Sequence, residues 1–381
     1  MVSKKSTLLL VKHRAKTYYE RWMEKEGVPV IDAFAVTDVQ KVTMGPWRRL
    51  GCQGAYLQLR GLEGITGLYV GKIEPGRMTE PERHLYEKVI YIVAGEGVAE
   101  IQQRDRVPQS ICWQAGSLFS PPLNTLHRLI NFSREPAVFL ALTTAPMVLD
   151  HFHNEQFVFH SNFSFNERYD GETNYFEAGN ERYLAADNRQ GVWETNFISD
   201  VRQVRVDAQE EKGEGISIAQ FEISNNTLIG QLAQWPVGRY HKAQRIDGGA
   251  VLIALRSQGY TLLWPSELGT RPYENGYGGQ VERVNWMPGS VFSPPSRWFY
   301  QHFNTAAEPA LQLALRCGSQ KFPVGGSVSA IRTGLYTSIK QGAARIDYED
   351  EDPEIRRQYQ AALEKKGITP DMIQAVAVND D

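Results

Sequence analysis

The chain has 381 residues, a formal net charge of −3 at pH 7 and a sequence pI near 6.3. This length favours two domains, and the near-neutral charge gives no sign of a nucleic-acid or anionic-membrane partner. No stretch approaches the roughly 18–20 apolar residues of a membrane span, and three scattered cysteines argue against a disulfide framework. From these features we expect a soluble, cytoplasmic protein.

Helical periodicity stands out in two segments, one near each end. The first, AKTYYERWMEKEG, stops at Gly27. The second, EDPEIRRQYQAALEKKG, has Asp352 as its predicted N-cap, Pro353 at the first helical position and Gly367 as its stop. Between them lie short runs rich in β-branched and aromatic residues, such as GLYVGKIEP, KVIYIVAG, AVFLALTTA and ALQLALR. Such runs, bounded by Gly, Pro and Asn, predict an all-β sandwich or barrel.

The sequence contains an internal repeat. Gly76 precedes a strand that ends at Gly97, and Gly238 precedes one that ends at Gly259, an offset of 162 residues. Further on, GSLFSPPLNTLHRLINFS matches GSVFSPPSRWFYQHFNTA at an offset of 173. The second copy therefore has eleven extra residues, which we place within PSELGTRPYENGYGG. Two copies of one β-domain are predicted.

The repeated unit resembles the cupin family through two motifs. In the first copy the motif positions are filled by Gly76, Glu82, His84, Lys88 and Gly95, then by Gly116, Pro122, Asn124, His127 and Asn131. In the second copy they are filled by Gly238, Gln244, Ile246 and Ala250, then by Gly289, Pro295, Arg297, Tyr300 and Asn304. The resemblance implies two cupin barrels (double-stranded β-helix, or jelly-roll) with short N- and C-terminal helices, an architecture similar to gentisate-type dioxygenases. Both metal motifs are degenerate.

The predicted organisation has five parts. Residues 1–55 form an N-terminal helical or extended arm, and residues 56–147 form cupin domain 1. An aromatic-rich linker, 148–212, leads to cupin domain 2 at 213–318, and a C-terminal extension with a helix covers 319–381.

The first copy offers a candidate metal site. Side chains alternate faces along a strand, so Glu82, His84, Tyr86 and Lys88 share the inward face. With His127 from a facing strand, Glu82 and His84 are the predicted ligands of Fe(II) or another divalent transition metal. Lys88 stands where the family has a glutamate, and a Glu82–Lys88 ion pair would satisfy both charges without a metal. Whether a metal binds is therefore open.

The second copy has neither histidine nor carboxylate at the four ligand positions, and we expect no metal there. Gln244, Tyr300 and His302 are instead its predicted substrate-binding residues. The linker stretch DHFHNEQFVFH carries His151, His153 and His160. Histidines two apart on a strand share a face and can bind metal, but the interleaved phenylalanines favour a packed crossover.

Three functions remain open. In the first, the protein is a bicupin enzyme with dioxygenase-type chemistry on a small organic, possibly aromatic, acid; Tyr86 touches the substrate and Lys88 pairs with its carboxylate. In the second, it is a non-oxidative isomerase, lyase or hydrolase with Lys88 or His84 as general acid or base. In the third, both barrels bind a metabolite without catalysis. A homodimer is expected by family analogy alone.

Overall fold

The computed structural model describes residues 15–62, 64–177, 181–184, 191–208, 213, 215–245, 248–324 and 337–371. Within these ranges the chain is dominated by short strands, which form two β-barrels of the same topology. The prediction of an all-β fold with two jelly-roll barrels and terminal helices is confirmed by this strand pairing. The domain boundaries given above stay a prediction.

The first barrel consists of a large sheet and a small sheet that face each other. The large sheet has the order β1-β4-β5-β11-β6-β9-β14, where β14 is Phe197–Ile198 and β3 pairs with β4, and the small sheet has the order β10-β7-β8. The strands of the N-terminal half are β1 Val30–Ala33, β2 Ala35–Val36, β3 Gly45–Trp47, β4 Cys52–Leu59, β5 Gly67–Ile73, β6 Lys88–Ala94, β7 Glu96–Gln102, β8 Gln109–Gln114, β9 Leu118–Phe119, β10 Leu126–Asn131 and β11 Ala137–Thr143.

The second barrel repeats this plan. Its large sheet has the order β12-β13-β16-β17-β24-β19-β22-β2, with β15 paired to β16, and its small sheet is β18-β23-β20-β21. Its strands are β12 Glu181–Leu184, β13 Gly191–Thr195, β14 Phe197–Ile198, β15 Asp207–Ala208, β16 Ser217–Ile223, β17 Leu228–Trp235, β18 Gln244–Arg245, β19 Val251–Arg256, β20 Gly259–Pro265, β21 Glu282–Trp286, β22 Val291–Phe292, β23 Trp298–Asn304 and β24 Ala310–Cys317. The long β20–β21 connection contains the eleven-residue insertion predicted from the repeat.

The two large sheets pack against each other. Leu57 and Leu140 of the first barrel share one buried apolar cluster with Phe221 and Leu313 of the second. Both faces of each large sheet are therefore covered, one by its own barrel interior and the other by the neighbouring barrel. This explains why β11 reads as the continuous apolar run AVFLALT rather than as an alternating strand.

Each barrel receives a short strand from the segment that precedes the other. Strand β2 pairs with β22 of the second barrel, and β14 pairs with β9 of the first. The exchange is anchored by matching backbone hydrogen bonds, from Val39 N to Gly289 O (3.1 Å) and from Val201 N to Gly116 O (2.9 Å). Each barrel is thus completed by chain that belongs in sequence to the other half.

In the part of the chain that the structure describes, four α-helices lie on the outside of the barrels: α1 Tyr18–Lys25, α2 Ala145–Phe152, α3 Glu155–His160 and α4 Pro353–Glu364. Helix α1 begins with a capping box between Thr17 and Glu20, and α4 has Asp352 as N-cap and Pro353 in its first turn, as predicted. Helices α2 and α3 also form, in a segment where the sequence shows no convincing helical periodicity. Helix α2 follows directly on the apolar run of β11, and α3 has only six residues, so neither shows a clear helical period in the sequence.

Among the described residues, none of the helices combines the length and the apolar character that crossing a bilayer would require. The three cysteines are all free thiols.

Candidate active site

The end of the first barrel is closed by a pairing between the segment before β6 and strand β10. Glu82 and His127 exchange both backbone hydrogen bonds, at 2.9 Å and 3.0 Å. Lys88 opens β6, and its carbonyl oxygen accepts a hydrogen bond from Ser120 Oγ at 2.6 Å. Glu82, His84 and Lys88 bring their polar groups together with His127, as the sequence predicts, although the chain bends at Leu85 and Tyr86 before β6 begins.

Glu82, His84 and His127 form a compact donor set. Each offers one ligand atom, and these atoms all lie within 4.8 Å of one another. His84 Nδ1 lies 2.7 Å from the carbonyl oxygen of Tyr86, and His127 Nδ1 lies 3.1 Å from that of Thr125. Because a carbonyl can only accept, both imidazoles carry their proton on Nδ1 and present an Nε2 lone pair. That is the tautomer a metal ligand requires.

Lys88 projects into the same space. Its ammonium nitrogen donates to Glu82 Oε1 and lies 3.2 Å from His127 Nε2. The side chain is only 1% exposed. The predicted Glu82–Lys88 ion pair therefore forms, and the ammonium stands beside two of the three donors.

Burial and charge together set the protonation states. Burial lowers the pKa of His84 well below its usual value, and the charge of Lys88 lowers it further. The pKa of His127 is lowered by burial and Lys88 in the same way. Burial alone would raise the pKa of Glu82, but Lys88, His127 and Arg49 hold it well below its usual value. Burial also lowers the pKa of Lys88, although Glu82 opposes this. The site thus holds neutral imidazoles beside a carboxylate.

Arg49 is a member of the site that the sequence reasoning missed. Its Nη1 lies 3.1 Å from Glu82 Oε2, and its Nε lies 2.5 Å from Glu26 Oε2. Glu26 also accepts from Trp47 Nε1 at 2.6 Å. Arg49 comes from the turn between β3 and β4, far from both motifs, and nothing in its local sequence distinguishes it from a surface arginine.

Tyr86 lies behind His84 rather than beside the donor atoms. The two rings are parallel within 4°, with centroids 3.7 Å apart. On its other side Tyr86 meets Phe159 of helix α3 edge-on at 5.9 Å, and Leu85 N donates to Val158 O at 2.9 Å. Helix α3 therefore covers this end of the barrel, and Tyr86 fixes the orientation of the His84 ring.

Glu87, which comes one residue before Lys88, points away from the donor set. Its carboxylate accepts from the backbone N–H of Thr227 at 2.9 Å and pairs with Arg168 at 2.8 Å. It contributes to the contact between the barrels, and it does not substitute for the glutamate that Lys88 replaces.

One observation in particular indicates that this donor set suits a divalent transition metal. His84 Nε2 is buried and has no hydrogen-bond partner within the described part of the chain. An imidazole lone pair held in this way lacks the partner that buried polar atoms ordinarily have. Two imidazoles and a carboxylate are a ligand set that mononuclear iron oxygenases use.

In the second barrel the three predicted substrate-binding residues also come together inside. Gln244 Nε2 donates to the Tyr300 hydroxyl at 2.9 Å, and Thr261 Oγ1 lies 2.8 Å from His302 Nδ1. The rings of Tyr300 and His302 have centroids 5.2 Å apart. Ile246, which the motif places at a ligand position, lies outside the described residues. The substrate-binding role of this set stays a prediction.

The linker histidines do not share a strand face, because their segment is helical. His151 lies in α2, His153 caps its C-terminus in a left-handed conformation, and His160 ends α3. The packed crossover forms only in part: Phe159 stacks on Trp22 of α1 at 5.5 Å, whereas Phe152 and Phe157 are about half exposed.

The sequence matches no family model and no curated protein. Solved structures of oxalate decarboxylase from Bacillus subtilis are similar to this chain at low sequence identity. A deletion variant of that enzyme is 11% identical over 75% of this chain and 77% of its own, with a TM-score of 0.47. A single-residue variant is 12% identical over 75% and 78%, again with a TM-score of 0.47. A third structure, from a study of Mn(II) centres in that enzyme, gives 11% identity and the same score. Identities and TM-scores this low do not indicate which activity this chain has.

Proposed function

We propose that the first barrel is the catalytic centre of an enzyme of the cupin type, acting on a small organic acid with a divalent transition metal held by Glu82, His84 and His127. The observation that supports this most strongly is the buried, unpartnered Nε2 of His84, aligned with the His127 and Glu82 donors within 4.8 Å. We propose dioxygenase-type chemistry with Fe(II) as the first candidate. A metal of this kind supplies Lewis-acid and, where it is redox-active, oxygen-activating chemistry.

The chain's own residues have distinct tasks in this proposal. The Tyr86 and Thr125 carbonyls hold the imidazoles in the ligand tautomer, and Arg49 orients the Glu82 carboxylate. Helix α3 excludes water from this end of the barrel. Lys88 holds a proton on Nζ within reach of Glu82 and His127, where it balances the negative charge of a bound carboxylic acid.

A second candidate function rests on Lys88 itself. Its Nζ, hydrogen-bonded to both Glu82 and His127, forms a proton relay that works without a metal. Burial lowers the pKa of Lys88, which suits a lysine to general acid–base catalysis at moderate pH. In this candidate the enzyme is a non-oxidative isomerase, lyase or hydrolase acting on the same class of substrate.

Oxygen uptake distinguishes the two candidates. Protein loaded anaerobically with Fe(II) is mixed with a panel of small aromatic acids, and dioxygen consumption is followed together with product formation. We expect uptake that falls at least about 100-fold in His84→Ala and His127→Ala, since even residues that merely support a metal ligand contribute roughly 10–100-fold. The matched control is His160→Ala, an exposed histidine outside the site that should leave the rate unchanged.

Turnover without oxygen uptake would contradict the dioxygenase candidate. If that turnover persists after metal removal and disappears in Lys88→Met, the second candidate is correct. A third outcome is no turnover with or without metal, and no difference between the wild type and the two ligand variants. It would contradict both candidates and indicate a barrel that binds a metabolite without catalysis.

A further inference from the structure

A groove of about 660 Å³ lies on the outside of the second barrel, between its small sheet and helix α4. Its sheet wall is formed by outward-facing residues of β20 and β21, including Tyr260, Arg283 and Asn285. Its helix wall is formed by the C-terminal half of α4 and the turn after it. This volume is typical of a site for a small molecule, and the groove is separate from the interior of either barrel.

The groove is cationic. Arg283, Lys365 and Lys366 line it, and no aspartate or glutamate does. Within the described residues none of these three cations forms an ion pair, whereas most other basic side chains in contact with the second barrel do. Their hydrogen bonds are to neutral groups: Arg283 Nε to Asn285 Oδ1 at 3.2 Å, and Lys366 Nζ to Thr305 Oγ1 at 3.2 Å.

Arg283 gives the clearest sign of a binding role. Lysines at the end of a helix are explained in part by the helix dipole, but Arg283 projects from a strand. Its guanidinium carbon lies 3.5 Å from the centre of the Tyr260 ring, a cation–π contact that holds the side chain at the groove wall, and Arg283 is exposed. Tyr260 is 1% exposed, and its hydroxyl proton has no acceptor among the described residues. A buried hydroxyl without an acceptor can donate a hydrogen bond to a ligand in the groove.

The groove also distinguishes the two copies of the repeat. By the repeat offsets, Tyr260 corresponds to Val98 and Arg283 to Ser110 in the first barrel. The first barrel thus has neither the aromatic platform nor the guanidinium, and helix α4 covers only the second.

We propose that this groove binds a small organic anion with at least two negative groups, carboxylates or phosphates, held by Arg283, Lys365 and Lys366. The guanidinium edge of Arg283 binds one anionic group in a fork, and the two lysines at the helix end bind the other. The groove is thus a second ligand site, independent of the chemistry proposed for the first barrel.

The test is titration calorimetry of the full-length protein with two probes, citrate as the polycarboxylate and inorganic pyrophosphate as the phosphate. We expect at least one to bind, with an affinity that decreases as salt is added. The double variant Arg283→Gln/Lys365→Gln should weaken binding at least about 10-fold, in line with the loss of two charge-assisted contacts. The variant Ala361→Trp, which fills the groove and keeps its charges, should do the same.

Two controls locate the effect. Lys340→Gln removes an exposed lysine that is paired with Glu349 and Asp350 outside the groove, and it should leave binding unchanged. His84→Ala/His127→Ala should also bind the probe normally, because the first barrel is not involved. Binding of neither probe to the wild type would overturn the proposal. So would binding that the groove variants leave intact, or binding lost only with the histidines.

Discussion

The polar cluster of the first barrel balances its charges only when Glu26 is counted with it. Lys88 and Arg49 both pair with Glu82, Arg49 also pairs with Glu26, and His84 and His127 stay neutral. The members close in sequence could be predicted, because alternation along an extended segment places Glu82, His84 and Lys88 on one side. Arg49 could not, because its contact with Glu82 depends on how β3 and β4 pack, and no sequence pattern reports that.

The neutral histidines predict how stability depends on pH. The pKa values of His84 and His127 are lower in the folded protein than in the unfolded chain. Below about pH 6.5 the unfolded chain therefore binds more protons, and the free energy of unfolding falls as the pH is lowered. Each histidine contributes up to about 1.4 kcal/mol per pH unit. The depressed pKa of Glu82 adds a further loss only below its unfolded value of about 4.3.

Urea unfolding of the metal-free protein at a series of pH values between neutral and mildly acidic measures this slope. The double variant His84→Gln/His127→Gln should reduce the dependence of the free energy of unfolding on pH, whatever its stability at neutral pH. The control variant His160→Gln, at an exposed histidine, should keep the slope of the wild type. A slope that is the same in the double variant and the wild type would show that the two imidazoles are protonated in the folded state.

Among the secondary-structure elements, helices α1 and α4 could be predicted from the sequence, whereas α2 and α3 could not. Helix α4 has twelve residues, an N-cap and an N-terminal proline, and its start is readable from sequence. Helices α2 and α3 have eight and six residues, and a run such as HNEQFVFH suits a strand or a short helix equally well. Their packing over the first barrel selects the helical form, which is a tertiary effect that local pattern does not contain.

The cap of α4 also ties the helix to the second barrel. Asp352 is fully buried and accepts from the backbone N–H groups of Glu354 (3.0 Å), Tyr273 (2.7 Å) and Glu274 (3.0 Å). Asp352→Ala removes the acceptor of three partly buried backbone donors, and we expect a loss on the order of 2 kcal/mol in the free energy of unfolding. Chemical denaturation measures it, with exposed Glu364→Ala at the other end of the helix as control. A loss no larger than that of the control would mean that α4 does not depend on this cap.

For the whole molecule, the repeat extends further upstream than the motifs. Residues 30–42 and 192–204 align at the same offset of 162, including Asp38 with Asp200 and Val39 with Val201. These are the two segments that cross between the barrels. The equivalence of these two segments is visible in the sequence. The barrel with which each segment pairs is not, because pairing with either barrel would give the same local sequence pattern.

The exchange predicts that the two barrels unfold together. Val39 and Val201 are both fully buried in the cluster between the barrels. Val39→Ala and Val201→Ala should each lower the stability by on the order of 2 kcal/mol, through the cavity that each leaves. Calorimetry should show one transition that moves in both variants. Two transitions, each shifted by only one variant, would show that the barrels are independent.

The central claim is that Glu82, His84 and His127 hold a metal, and metal content tests it most directly. The protein is purified without chelators or an affinity metal and analysed for transition elements, alongside His84→Ala, His127→Ala and the control His160→Ala. We predict close to one equivalent in the wild type and the control, and loss of the metal in both ligand variants. A wild-type protein that stays free of metal even after anaerobic reconstitution with Fe(II) would contradict the claim, and the site would then be the Lys88-centred acid–base group.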